Sequence, residues 1–214
     1  MESFRSEVYE TLQRCFLKVK LPMQKAIFLD RDGTINEEVN YLKKISDIRI
    51  FPGAVKALQK FKYLGYLNIV ITNQSGVARG FLSEEQLNYI HSELKNILTS
   101  SGECLIDDIF YSPYHAEGII DKYKLQSPDR KPGTGMISKA CSKHNIDLQE
   151  SYFIGDSFTD MLCAQNAGLK KILVKTGYGA ADLIKCADNN LSVEYTADDL
   201  LDAADFIEKS FQNV

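Results

Sequence analysis

The sequence predicts an α/β fold: a doubly wound, Rossmann-like parallel sheet with helices on both faces. Three observations carry that prediction. Short apolar runs (26–29, 67–72, 106–111, 152–154 and 171–175) alternate with longer stretches whose apolar residues recur at helical spacing. The runs give way to small polar, acidic or glycine residues, the composition of ligand-binding turns at the carboxyl ends of parallel strands. The length of 214 residues suits one domain with at most modest insertions.

Taken in order, residues 1–22 form an extension in which Phe4, Val8, Leu12 and Phe16 recur at helical spacing. This predicts an amphipathic helix whose apolar stripe packs on the body, or on a second copy of the chain. A monomer is expected, and this helix is the route to a dimer. Residues 23–214 read as a single domain. Its first strand, Ala26–Leu29, runs into Asp30-Arg31-Asp32-Gly33-Thr34, two carboxylates one residue apart before a glycine that permits a sharp turn. Residues 37–49 are a polar loop at the mouth of any site formed there. Pro52-Gly53 opens a helix with Val55, Leu58 and Phe61 on one face, closing at Gly65.

The second strand ends in Thr72-Asn73-Gln74-Ser75-Gly76, a run that presents a hydroxyl and backbone N–H groups to an anion. Ser83 and Gln86 have capping-box spacing and start a helix to about Leu98. A third strand over 106–111 leads into a long connection, 112–130, of a length that usually serves function. It closes in Arg130-Lys131-Pro132-Gly133-Thr134-Gly135, before another helix. The fourth strand, Tyr152–Ile154, is followed by Gly155-Asp156-Ser157-Phe158-Thr159-Asp160. The spacing puts Asp160 near the first turn of the next helix, facing the same cavity as Asp156. A fifth strand, Lys171–Lys175, a loop at 176–179, residues 193–195 and a helix near 198–211 complete the sheet edge.

Composition narrows the partners. The net charge is −4, from 25 basic and 29 acidic residues without a long single-sign run, which argues against tight nucleic-acid binding. The five cysteines (Cys15, Cys104, Cys141, Cys163, Cys186) are odd in number and scattered, a pattern of reduced thiols in the cytoplasm. No stretch is long and apolar enough to cross a membrane, and no apolar signal core opens the chain.

Asp30, Asp32, Thr72, Lys131, Asp156 and Asp160 together suit phosphoryl transfer to an aspartate. Asp30 is the expected nucleophile, forming an aspartyl-phosphate. Asp32, kept protonated in the first step, is expected to donate to the leaving alcohol and then to activate water. Two acids this close call for a cation, and Mg²⁺ with its oxygen preference is expected on Asp30 and Asp156, with Asp32 counted in the metal set. Asp160 is expected to orient that shell. Thr72, the Asn73 amide and Lys131 are expected to hold the phosphoryl oxygens.

Asp30-x-Asp32-Gly33-Thr34, Thr72, Lys131 and Gly155-Asp156-x3-Asp160 occur in the order of the four motifs of the haloacid dehalogenase superfamily of phosphatases, which the chain resembles over about residues 25–180. Within it, Asp30–Asn36, Thr72–Gly80 and Arg130-Lys131-Pro132 look like the heptose-bisphosphate phosphatases, with histidinol-phosphate phosphatases as near relatives. The resemblance implies a Mg²⁺-dependent cytoplasmic phosphatase without a large cap domain, acting on a phosphorylated sugar or similar small phosphomonoester in heptose synthesis for surface polysaccharide. It implies substrate contacts from Asn73, Arg79, Arg130 and Lys131.

The chain departs from those relatives where they commonly carry a structural zinc. The loop here reads Ser112-Pro113-Tyr114-His115 and Ser127-Pro128-Asp129, without cysteine, so no zinc is expected. Packing of Tyr111, Tyr114 and Tyr123 must then hold the loop, or the loop is mobile. Ser157 stands where heptose phosphatases often have lysine. Three alternatives remain, the first of them a histidinol-phosphate phosphatase. The 3′-phosphatase domain of polynucleotide kinases shares Thr-Asn-Gln-x-Gly and Lys-Pro-x-Thr-Gly-Met, but the acidic chain lacks a basic stripe. A non-catalytic binding protein of the same fold would not need the complete set of aspartates, threonine and lysine.

Overall fold

The computed structural model describes residues 22–212; the expected N-terminal helix at 1–22 lies almost entirely outside them. The first strand, β1 (Lys25–Leu29), is followed by α1 (Ala54–Tyr63), β2 (Tyr66–Asn73) and α2 (Glu84–Ile97). A two-residue antiparallel ribbon, β3 (Thr99–Ser100) and β4 (Glu103–Cys104), precedes β5 (Asp108–Ser112) and α3 (Gly135–His144). The chain continues through β6 (Tyr152–Gly155), α4 (Phe158–Ala167), β7 (Lys170–Val174), α5 (Gly179–Asp188), β8 (Tyr195–Ala197) and α6 (Leu200–Gln212).

The six-stranded sheet has the order β5-β2-β1-β6-β7-β8 with all pairs parallel. Strand order therefore reverses beside β1. In open α/β sheets the crevice outside the carboxyl ends at that reversal is where ligands bind. The alternation of side chains along β1 builds two cores. Ile27 and Leu29 join Phe61, Leu94, Ile154 and Ile207 on the face covered by α1, α2 and α6. Ala26 and Phe28 join Ile69, Ile71, Phe153, Met136, Ile137 and Met161 on the face covered by α3 and α4. With both faces buried, the strands read as unbroken apolar runs.

Two boundaries differ from expectation. The third long strand begins at Asp108, since pairing with β2 starts at Ile69↔Asp108; Leu105 and Ile106 are buried core residues just before it. The last strand is Tyr195–Ala197 and not 193–195. The capping box at α2 forms as read: Ser83 Oγ accepts from Gln86 N at 3.1 Å, and Ser83 N donates to Gln86 Oε1 at 2.8 Å. No helix among the described residues is long and apolar enough to cross a membrane.

Candidate active site

Strand β1 delivers Asp30 to the switch point. Its amide still donates to Ile154 O at 3.0 Å, as though the strand continued, and the chain then turns at Gly33 with φ of 80°. From the other side β6 delivers Asp156, and the first turn of α4 delivers Asp160. The approach is close. A Cβ on Gly33 or on Gly177 would stand 2.0 Å from Asp156 Oδ2, so both turns that fold over this carboxylate require glycine. Asp156 Oδ2 accepts from Tyr178 N at 2.8 Å.

The ammonium of Lys131 ties the floor together. It pairs with Asp30 Oδ1 at 2.8 Å and Asp160 Oδ1 at 2.6 Å and donates to Ile71 O at 2.9 Å. Burial alone would depress its pKa; Asp160 and Asp30 more than reverse this and raise it. One ammonium does not balance three acids. Burial, followed by the charges of Asp160 and Asp32, pushes the Asp30 carboxyl up to about 7 despite Lys131. Burial, followed by Asp30 and Asp160, pushes Asp156 up to about 8. Oxygens of Asp30, Asp156 and Asp160 lie within 4.8 Å of one another. A crowded, oxygen-only set of under-neutralised acids fits a hard divalent cation.

The acids that converge differ from the expected metal set. Asp160 belongs to the cluster, and the Asp32 carboxylate does not. Asp160 Oδ2 also caps α4, accepting from Ser157 Oγ at 2.7 Å and Ser157 N at 3.1 Å, which is the use of the serine found where lysine was expected. The carboxylate of Asp32 turns toward β2 and takes four donors. Arg31 Nε (3.0 Å) and Asn36 Nδ2 (2.9 Å) bond Oδ1; Arg31 Nη2 (2.6 Å) and Gln74 Nε2 (3.0 Å) bond Oδ2. Burial opposes ionisation, but Arg31, Asn36 and Gln74 outweigh it and hold this carboxyl below the usual range. In the free protein a two-pronged guanidinium contact stabilises the ionised form of Asp32; the protonation expected in the first step belongs to the substrate complex.

The remaining predicted residues divide. Thr72 is buried at the end of β2, lines the Asp30 cavity, and its Oγ1 accepts from Gln74 Nε2 at 2.9 Å. Asn73 clamps the Lys131 backbone, donating to its carbonyl at 3.2 Å and accepting from its amide at 3.0 Å. Arg130 lines the cavity with Asn73 and Lys131. Arg79 lies outside it, 3.3 Å from His115 Nε2 on the long loop. Asp30, Thr72, Lys131, Asp156 and Asp160 share a cavity of about 270 Å³. A neighbouring hollow of about 370 Å³, sharing Asp32, Glu38, Asn73, Arg130 and Tyr178 with it, extends the groove toward Tyr41 and Ser75. Glu38 and Tyr178 were not among the expected site residues; their only sequence signal is their place in loops at the strand ends.

The loop after β5 is held in part as expected. Tyr114 and Tyr123 pack with ring centroids 6.1 Å apart. Glu84, not anticipated, accepts from Tyr111 Oη at 3.0 Å and Tyr123 Oη at 2.6 Å, and Ile119 N and Ile120 N donate to Ala78 O at 2.8 and 3.0 Å.

A parallel switch point carrying an acid after β1, a hydroxyl at the end of β2, a buried lysine and two acids after β6 defines a phosphatase of the HAD-like hydrolase class. The HAD-hydrolase-like family model matches residues 129–203. A D-glycero-D-manno-heptose-1,7-bisphosphate 7-phosphatase from Thermosynechococcus vestitus is 34% identical over 185 residues, spanning 85% of this chain and 94% of that one. A D-glycero-beta-D-manno-heptose-1,7-bisphosphate 7-phosphatase from Pasteurella multocida is 42% identical, over 72% of this chain and 84% of its own. Among solved structures, a D,D-heptose 1,7-bisphosphate phosphatase from B. bronchiseptica complexed with magnesium and phosphate superposes with a TM-score of 0.74 at 31% identity, covering 89% of this chain and 99% of that one. The chain belongs to the heptose-bisphosphate phosphatase family of HAD-like hydrolases.

Proposed function

We propose that this protein removes the 7-phosphate of D-glycero-D-manno-heptose 1,7-bisphosphate through an aspartyl-phosphate on Asp30, with a divalent cation, Mg²⁺, held by Asp30, Asp156 and Asp160. The observation that supports this most strongly is the convergence of those three carboxylates within 4.8 Å of one another, two of them, Asp30 and Asp160, paired with the buried Lys131. The relatives named above are named for this bisphosphate, and the B. bronchiseptica structure holds magnesium and phosphate.

Asp30 attacks phosphorus, aimed by its contact with Lys131. The bound cation supplies the positive charge that lets an anionic nucleophile meet an anionic phosphoryl group. Lys131 keeps Asp30 and Asp160 in place, a positioning duty beside the phosphoryl contact expected from its sequence context. Thr72 and Arg130, both lining the cavity, are the groups proposed to hold the transferred oxygens. Asp32 is ionised before substrate arrives. A phosphoryl group docked against Asp30 adds like charge beside it and favours proton uptake, so that Asp32 can protonate the leaving alcohol. Ionised again, it takes the proton of the water that hydrolyses the intermediate. The second half of the groove, with Glu38, Tyr41 and Tyr178, accommodates the sugar.

Phosphate release with Mg²⁺ from both anomers of the heptose bisphosphate, from histidinol phosphate and from a 3′-phosphorylated oligonucleotide, beside Asp30→Asn, tests the reading. Preference for the heptose, abolished in the variant, supports it. Preference for another substrate overturns the heptose assignment, and silence on all overturns the phosphatase reading.

A further inference from the structure

Arg31 heads the fully buried large side chains of the described residues, ahead of every apolar one, with no exposed surface. A guanidinium in such a place must satisfy its N–H groups locally. One edge meets Asp32 through Nε and Nη2, and Nη2 also donates to Gln74 Oε1 at 3.0 Å. The opposite edge, Nη1, lies 3.0 Å from His91 Nε2. Arginine offers only donors, so this ring nitrogen is the acceptor and the imidazole proton resides on Nδ1. Burial, then the charge of Arg31, pushes the His91 pKa down to about 3, which keeps the ring neutral and accepting.

His91 lies on α2 among the core residues Leu87, Ile90 and Leu94, with the Tyr111 ring 5.4 Å away, and it lines neither half of the groove. Its place in a chain of contacts is what gives it a role. Arg31 reaches Asp32, Gln74 reaches both Asp32 and Thr72, and His91 is the far anchor of the series. We propose that His91 is a positioning residue for phosphoryl transfer, fixing the plane of the Arg31 guanidinium and thereby the orientation of the Asp32 carboxylate. This rests on the reading of Asp32 as the group that moves protons. A planar guanidinium held along one edge can still tilt; held along two, it presents a fixed fork. Without the acceptor, Nη1 faces a dry wall, and the guanidinium must tilt or admit water.

The test compares His91→Phe, which keeps a ring against Tyr111 but has no acceptor, with His91→Gln, whose amide oxygen can take the Nη1 proton. His91→Met is a second acceptor-poor variant should the phenylalanine not fold. With Mg²⁺ and the heptose bisphosphate, the acceptor-poor variant is expected to lower kcat about tenfold at an unchanged KM, and His91→Gln to recover most of that loss. An acceptor-poor variant turning over at the wild-type rate overturns the proposal, as does a glutamine variant equally slow. A ¹⁵N NMR readout stands apart from turnover: a slowly exchanging Arg31 Nε–H signal is expected in the wild type and His91→Gln, and its loss in the acceptor-poor variant. The same signal in all three overturns the positioning role even where no phosphomonoester is cleaved, whereas absent turnover in the wild type overturns only the proposed function.

Discussion

On the β6 side of the groove three carboxylates cluster and share one ammonium between two of them; on the β2 side one carboxylate receives four donors. The two arrangements begin from aspartates two residues apart on the same turn. Asp30 looks toward α4, which adds Asp160, and toward β6, which adds Asp156 to the cluster; burial first, and then the charge of Asp160, push its carboxyl up to about 7. Asp32 looks toward β2, which adds Gln74, and toward Arg31 held from behind by α2, so its carboxyl is held low. The difference teaches that a pair of acids in a motif is not one electrostatic unit. The elements flanking each acid decide which side is left short of positive charge and can take a cation.

That contrast can be broken in several ways, beginning with the largest effect. Asp30→Asn is expected to reduce phosphate release by about 10⁴-fold or more, because no other side chain in the cavity replaces the nucleophile. In the presence of a chelator the same variant should melt at a higher temperature than the wild type, since one crowding charge is gone. A lower midpoint by calorimetry would show that the β6 side is not short of positive charge.

The opposite sign is expected across the turn. Asp32→Ala leaves the Arg31 guanidinium buried without its counter-charge, and urea unfolding should report a loss of about 3–5 kcal/mol. A loss below ~1 kcal/mol would mean that the guanidinium escapes to solvent.

Magnesium itself provides the next measurement. At one hundred times its dissociation constant it should stabilise the wild type by about 2.7 kcal/mol, and Asp156→Asn should abolish most of the shift while Gln74→Glu should not. Equal shifts in all three proteins would place the ion elsewhere.

The smallest effect concerns the loop after β5. Tyr123, against the opposing effect of burial and with help from Tyr111 and Lys122, holds the Glu84 carboxyl below its ordinary value. A lowered folded pKa stabilises the latch above the unfolded value of about 4.3 and loses that contribution as pH falls through the lower folded value. Limited proteolysis within 113–130 by an acid-active protease should therefore rise only below about pH 4 in the wild type. In Glu84→Gln it should already be elevated at neutral pH; unchanged cleavage there would assign the loop's order to the Tyr114–Tyr123 packing and the Ala78 contacts instead.

Much of this protein was legible in its residues because the governing rules are local. The strand β1, the turn at Gly33 and the acid after β6 follow from apolar runs that stop at glycine and aspartate, and the capping box at Ser83 follows from spacing alone. The third long strand was misplaced by two residues because Leu105 and Ile106 are as apolar as a strand but are buried before pairing starts. Apolarity reports burial; hydrogen-bond register is set by the neighbour.

What the sequence by itself determined was the class of fold, the strand ends at which Asp30, Thr72 and Asp156 emerge, the loop that carries Lys131, and the phosphoryl chemistry such groups support. Only the tertiary structure decided how the charges pair. It placed Lys131 between Asp30 and Asp160, moved Asp160 into the acid cluster in place of Asp32, sent Arg79 to the long loop, and buried Arg31 against a histidine sixty residues away. The physical reason is that backbone periodicity acts over a few residues. The charge state of a buried side chain depends on whatever the fold brings within a hydrogen bond of it, and those partners come from strands and helices far apart in the chain.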